Sequence, residues 1–332
     1  MATFNYLPSI SSVTAGESAV DCLGRTGLDY TVEPRPLYLG SYQSAWGEDG
    51  GVEVPQPGDT LAPQHRALVR EDNDEVFGVV GNQYEVVQNR DLAKLVDAAR
   101  KERPEIKLVA AGPIDGGRRA SWWLKTGTFT LPGNDVSDTA VCLYTGHDGG
   151  SSVQLVPWST RLVCRNSLEF GRSFKLRHTS NIMDRLPQML DILAKSEAMA
   201  DQYARQAQRM SERRMNQDEV RKFFLAAYEQ IHNVRIPLPT EQSERDKKAR
   251  DRAMDVVSRW LVNLQDERQS LQGNGNTAWT CLNSVTQWAN HERTVRRTRD
   301  GETLAEARTS SMMDGAAGKA CKIAFKLATE LV

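Results

Sequence analysis

Between residues 106 and 158 four strand-like runs follow one another with nothing helical between them. They are "IKLVAAGPI" (106–114), "RRASWWLKTGTF" (118–129), "TAVCLYTG" (139–146) and "SVQLVPW" (152–158), joined by Gly- and Asp-rich turns such as "PGND" and "GHDGG". Strands met in sequence in this way favour an antiparallel sheet with helices packed on one face. From about residue 184 the period changes from two to that of a helix and stays so to the end. Leu186, Leu193, Ala200 and Ala207 recur every seven residues, with Met189, Tyr203 and Met210 in the same rhythm, a spacing suited to a long packed or coiled helix and to self-association along it. Further helices are expected at 218–231, 245–271, 277–291 and 311–331. The chain is therefore read as α+β: a peripheral acidic segment (1–60), an α+β core with a mainly antiparallel sheet (61–183) and a helical region (184–332).

Other local signals fill in this outline. "TAGE" (14–17) fits a capping box before a short helix that stops at Gly24 or Gly27. "WGEDGGVEVPQPGD" (46–59) reads as a polar loop, and Gly81-Asn82, inside "EVFGVVGNQYEVVQN", as a tight hairpin turn. Asn89 reads as the N-cap of a helix whose stripe is Leu92, Leu95, Val96 and Ala99.

No run approaches the roughly 18 apolar residues of a membrane span, and "MATFNYLPSISS" lacks the pattern of a signal peptide. A cytoplasmic protein with no membrane partner is expected. Five dispersed cysteines without a CxxC pair argue against a disulfide framework or a structural zinc site. There is no GxSxG or HExxH; "GAAGKACK" (315–322) lacks the spacing of a phosphate loop; and His147 and Asp148 of "GHDGG" read as turn residues. No catalytic residue, metal ligand or cofactor is assigned, and binding is favoured over catalysis.

Charge is the remaining signal. The formal net charge is −1, yet "STRLVCRNSLEFGRSFKLRH" (159–178) holds five cations against one carboxylate, while residues 1–60 hold two arginines against eight carboxylates. Arg161, Arg165, Arg172, Lys175 and Arg177 could line a groove that tracks a sugar–phosphate backbone, or they could pair with the acidic N-terminal segment. In a strand around Trp122-Trp123, Arg119, Ser121, Trp123 and Lys125 share one face: a cation–aromatic–cation row able to stack a base, or a surface covered by another element. Lys319 and Lys322 share a face of the last helix with Lys326, which is also the pattern of an amphipathic helix docked on a core.

Several segments together resemble a known family. "TGLDYTVEPRPLY" (26–38), "FGVVGNQYEVVQNRDL" (77–92), "STRLVCRNSLEF" with "LRHTSNIMDRL" (159–186), and "NSVTQWANHERTVR" (283–296) are similar to the phage/plasmid-like proteins of the domain-of-unknown-function-932 family. That resemblance implies a mobile-element setting and supplies no activity. More distantly, the order of sheet, basic turn, helix and lysine-bearing C-terminal helix is similar to single-strand annealing proteins of the RecT and Redβ type, which implies single-stranded DNA in a basic groove and assembly into rings or filaments. The expectation is a non-enzymatic single-stranded nucleic-acid-binding protein of annealing type, forming homo-oligomers. The alternatives are an oligomeric scaffold of a mobile element, or an enzyme whose site forms only in three dimensions.

Overall fold

The computed structural model of the chain describes residues 7–45, 52–240, 243–270, 275–297 and 302–332. Its centre is an antiparallel sheet of β1 (Ser11–Ser12), β5 (Lys107–Ile114), β6 (Arg119–Leu131), β7 (Asp135–Gly146), β8 (Val153–Arg161) and β10 (Phe174–Leu176), in the spatial order 1-5-6-7-8-10, with β9 (Ser167–Glu169) also on β8. The β6–β7 hairpin pairs Leu131 with Asp135. Gly133 (φ 83°) and Asn134 (φ 57°) turn it in the left-handed region, which these two residue types tolerate best.

A second sheet holds β2 (Val32–Ala45), β3 (Val52–Arg70) and β4 (Val76–Gly81). Thus part of the stretch read as a polar loop is one strand of a long hairpin. Gly81-Asn82 does make a turn, with Tyr84 N–H donating to the Gly81 carbonyl, but no second strand follows, because Tyr84 is drawn to an isolated bridge with Thr179. The next element is α1 (Asn89–Glu102), whose N-cap is Gln88 rather than Asn89. The Asn89 amide is buried and donates instead to the Leu28 carbonyl.

The helices cover both faces of the main sheet, not one. On one side α1, α2 (Ile182–Arg185) and α3 (Gln188–Ala194) build a core with Trp122, Leu124, Val141, Leu143, Val153 and Leu155. On the other, α4 (Ser196–Glu212), α5 (Gln217–His232), α6 (Glu244–Ser270), α7 (Ala278–Gln287) and α9 (Ala316–Thr329) enclose Trp123, Ala140, Cys142, Tyr144, Val156 and Trp158. α8 (Leu304–Met313) completes that side near the end of the chain. Neighbouring strand residues thus fall alternately into the two cores, as the pleat requires. Residues 15–27 form turns rather than a helix, and they are not peripheral: Ala19, Cys22, Leu23 and Leu28 are buried in the first core.

Two corrections follow from the double coverage. Trp123 is fully buried, its ring edge-on to Trp158 at 5.3 Å, so it offers no face to a base. The seven-residue repeat is divided among α2, α3 and α4, and Leu186, Met189, Leu193, Ala200, Tyr203, Ala207 and Met210 are all buried within this chain. The seam is internal.

α7 is buried residue after residue from Ala278 to Thr286. Its polar side chains meet this by bonding back to their own helix: Ser284 Oγ donates to the Thr280 carbonyl at 2.7 Å and Asn283 Nδ2 to that of Trp279 at 2.9 Å. A capping box of Thr277 and Thr280 starts it.

Trp123→Ala is expected to cost about 3–5 kcal/mol, the range for truncating a large core aromatic. Urea denaturation measures it; a loss under 1 kcal/mol would place the indole outside the core.

Candidate nucleic-acid interface

The basic stretch 159–178 begins inside the protein. Arg161, the last residue of β8, is 2% exposed; its Nε donates to Asp135 and its Nη1 to Glu267, each at 2.5 Å. Trp279 Nε1 donates to the second Asp135 oxygen at 2.8 Å. This ties β7, β8, α6 and α7 together. Beside it, Asn166 donates to the Asn283 carbonyl at 3.1 Å and Asn290 to that of Ser167 at 2.8 Å. Parts of two of the segments that carry the family resemblance, 161–167 and 283–290, are therefore the two sides of one buried joint. Burial pushes the nearby Cys164 thiol up to about 11, so it is neutral and no nucleophile at neutral pH.

Beyond Arg161 the chain leaves the strand. Arg165 sits at φ 58° in the turn and is exposed. Arg172, Lys175 and Arg177 are exposed on either side of and within β10. None of these four, nor Lys319 on α9, has an ion-pair partner among the described residues. The other expected cations are committed elsewhere. Arg119 is buried against Asp314, Lys125 holds Asp138 at 2.6 Å, and Lys322 holds Glu169 at 2.6 Å. None of the five inner or paired groups, Arg119, Trp123, Lys125, Arg161 and Lys322, forms the open groove foreseen from the sequence. None of the sequence-proposed cations is ion-paired to residues 1–60 among the described residues.

One cleft does receive a cation of the basic stretch. Gly171 (φ 68°) reverses the chain after Phe170, and a Cβ there would lie 3.0 Å from Met199 Cε, so the turn is glycine-dependent. Arg172 follows on the rim. α4 contributes Met199, Gln202, Tyr203 and Gln206, one helical face; α9 contributes Phe325, Lys326, Thr329 and Glu330. The cleft has a volume of about 740 Å³ and is open to solvent. Its floor is aromatic: Tyr203 stacks on Phe170 at 4.3 Å and lies 5.7 Å from Phe325. Phe325 is the partly exposed ring. The Lys326–Glu330 pair is loose, 3.9 Å between two exposed side chains. Gln202 and Gln206 went unrecognised in the sequence; they flank the apolar positions of the seven-residue repeat, where polar residues are ordinary and carry no distinguishing signal. A larger cleft of about 860 Å³, beside the π-helical turn Trp288–Glu292, interleaves Arg259, Arg293 and Arg296 with Asp255, Glu292 and Glu302, so it presents no net charge to a polyanion.

The "GHDGG" loop takes a structural part. Asp148 accepts from Gly150 N–H, Ser151 N–H and Ser151 Oγ at 2.7–2.9 Å. A Cβ on Gly78 would enter the Asp148 backbone, so this loop and β4 meet backbone to backbone. His147 is fully buried; its Nε2 donates to Asn89 Oδ1 at 3.0 Å, because the Asn89 amide is already donating to Leu28. Its Nδ1 has no hydrogen-bond partner among the described residues. Among the described residues no group of three or more His, Cys, Asp or Glu is placed to hold a metal, and no helix is long and apolar enough to cross a membrane.

Fold and site together define an α+β protein with a doubly covered antiparallel sheet and an aromatic, cation-rimmed surface cleft. The chain belongs to the family described as domain of unknown function (DUF932), whose model matches residues 76–312. It matches no curated protein and no solved structure, so the more distant likeness to annealing proteins gains no support from these comparisons.

Burial, then the neighbouring His178, pushes His147 down to about 3 from its ordinary 6.5. As pH falls below 6.5 the unfolded chain takes up a proton that the folded chain refuses, so the stability this site contributes is complete above that pH and is lost toward 3. His147→Gln is expected to flatten the acid limb of the stability curve by up to about 1.4 kcal/mol per pH unit. Denaturant midpoints across that limb check it; an unchanged slope would show that His147 charges in place.

Proposed function

We propose that this chain is a non-enzymatic single-stranded nucleic-acid-binding protein of annealing type, of phage or plasmid origin and working in the cytoplasm. The observation that carries the reading is a convergence: Arg172 from the basic connection and Lys326 from the lysine-bearing helix stand on the rim of one cleft whose floor is Phe170, Tyr203 and Phe325. A base laid on the partly exposed Phe325 ring gains stacking without regard to sequence, while the two cations hold flanking phosphates. Gln202, Gln206 and Thr329 offer both donors and acceptors to base edges. The exposed Lys175 and Arg177 extend the cationic path past the cleft.

A duplex fits this arrangement poorly, because its bases are stacked on one another and only its backbone could reach the rim. Single strands expose the π-faces that an aromatic floor needs.

Fluorescence anisotropy of a labelled oligonucleotide tests the proposal. Replacing Arg172 and Lys326 together with alanine is expected to flatten the slope of log K against log salt by about 1.4, two single-strand phosphate contacts' worth. Phe325→Ala is expected to weaken binding by about 1–3 kcal/mol at all salts. Absence of binding at low salt, or a slope unchanged in the double variant, would end the nucleic-acid reading.

A further inference from the structure

Two exposed cations, Arg165 and Lys319, take no part in the cleft. Arg165 lies beside a further exposed group, the imidazole of His291. This histidine belongs to the π-helical turn Trp288–Glu292, a form of helix frequent at functional sites. Its neighbour Asn290 points inward: the Asn290 amide donates to the Ser167 carbonyl at 2.8 Å, and its side-chain oxygen accepts from Cys321 Sγ at 3.5 Å. His291 itself is exposed, and no other ring stacks on it among the described residues. The imidazole is hydrogen-bonded to the backbone of Arg165 and Cys164. Partial burial, then the charge of Arg308, holds it below its ordinary value, and the Arg165 charge acts in the same sense. At neutral pH it is therefore an uncharged aromatic ring beside two guanidinium groups. Arg308 donates to the Asn290 carbonyl at 2.8 Å, and neither arginine has an ion-pair partner among the described residues.

We propose that His291 is a second base-stacking position, taken by the same single strand that crosses the Phe325 cleft. The inference rests on the nucleic-acid reading of that cleft. The elements around it supply the path. α9 runs beside β9 in the same direction: Cys321 reaches Ser167 through Asn290, Lys322 holds Glu169, and Phe325 and Lys326 meet Phe170 and Arg172 in the cleft. Cys321 and Phe325 are four residues apart, about 6 Å along the helix and roughly two of the 3.4 Å steps of a stacked strand. A strand that leaves Phe325 toward the start of α9 therefore comes to His291 within a few nucleotides. Lys319 shares a face of α9 with Lys326 and lies toward this end of the helix, and with Arg165 it can take the phosphates there. A histidine ring stacks on an unpaired base as phenylalanine and tyrosine rings do, and stacking tolerates any base.

Fluorescence anisotropy of the full chain with labelled oligodeoxythymidines of increasing length tests this. His291→Ala is expected to weaken binding of the long strands on the order of ten- to a hundredfold and to leave the shortest, which fill the cleft alone, unchanged. His291→Phe keeps a ring without its hydrogen bonds and is expected to bind as the natural chain does. His291→Asn keeps a donor without the ring and is expected to behave as the alanine variant. Arg165→Ala with Lys319→Ala is expected to flatten the salt slope by about 1.4 on long strands only. Undiminished binding in His291→Ala, an equal loss on short and long strands, or a loss in His291→Phe as large as in His291→Ala would overturn the proposal, the last by assigning the imidazole to the turn it bonds. Binding that depends on Arg172, Lys326 and Phe325 but ignores His291 ends this inference alone; absence of binding at every length ends the reading of the cleft with it.

Discussion

A sheet that is dry on both faces has no position in its interior where a charge can stand unpaired. This constraint governs the protein. Burying an ionised group without a partner costs far more than a domain's net stability can absorb. Every cation that the sequence places on β6 or at the end of β8 therefore meets a carboxylate: Arg119 meets Asp314, Lys125 meets Asp138, and Arg161 meets both Asp135 and Glu267. The Arg161 group also crosses layers, since Asp135 is on the sheet and Glu267 on α6. Removing one member of the Arg161 cluster leaves the others charged and buried, which is why Arg161, Asp135 and Glu267 read as scaffold and not as ligand-binding groups.

Cations that meet no carboxylate have to lie at the edge or end of the sheet or where the chain has left it. Arg165, Arg172 and Arg177 are on turns and connections, and Lys175 is on a three-residue edge strand. Loops on a rigid frame are where binding groups accumulate in general. Here the frame also supplies the aromatic floor, because Phe170 at the end of β9 and Tyr203 on α4 are core residues whose stack continues to the surface through Phe325.

Much of the fold was readable from the residues. The four central strands, the change of period near residue 184 and most helix positions follow from local pattern alone, and α+β is the class observed. The failures share one cause. Period-two alternation shows that Trp122 and Trp123 face opposite ways, but not whether anything covers the second face; that is decided by α4 and α7, more than seventy residues away. The seven-residue repeat shows an apolar stripe but not that its partner is the same chain's sheet. β3 was missed because Gly and Pro in "VPQPGD" resemble a loop, and an exposed ribbon tolerates both. Of the candidate site, the cations were visible, and which of them are free was not, because Asp135, Glu267 and Asp314 are remote in sequence.

The two cores close at different times on the ribosome. The face containing Trp122 is finished by α3, so it can be complete once residue 194 has emerged. The face containing Trp123, Tyr144 and Trp158 waits for α7 and α9, which end at residues 287 and 329. At ordinary rates of translation that interval is on the order of ten seconds. During it a nascent chain presents three large aromatic side chains on an otherwise formed sheet. Recruitment of a chaperone, or association with another unfinished chain, belongs to that window, and its length is set by the order of the elements along the polypeptide.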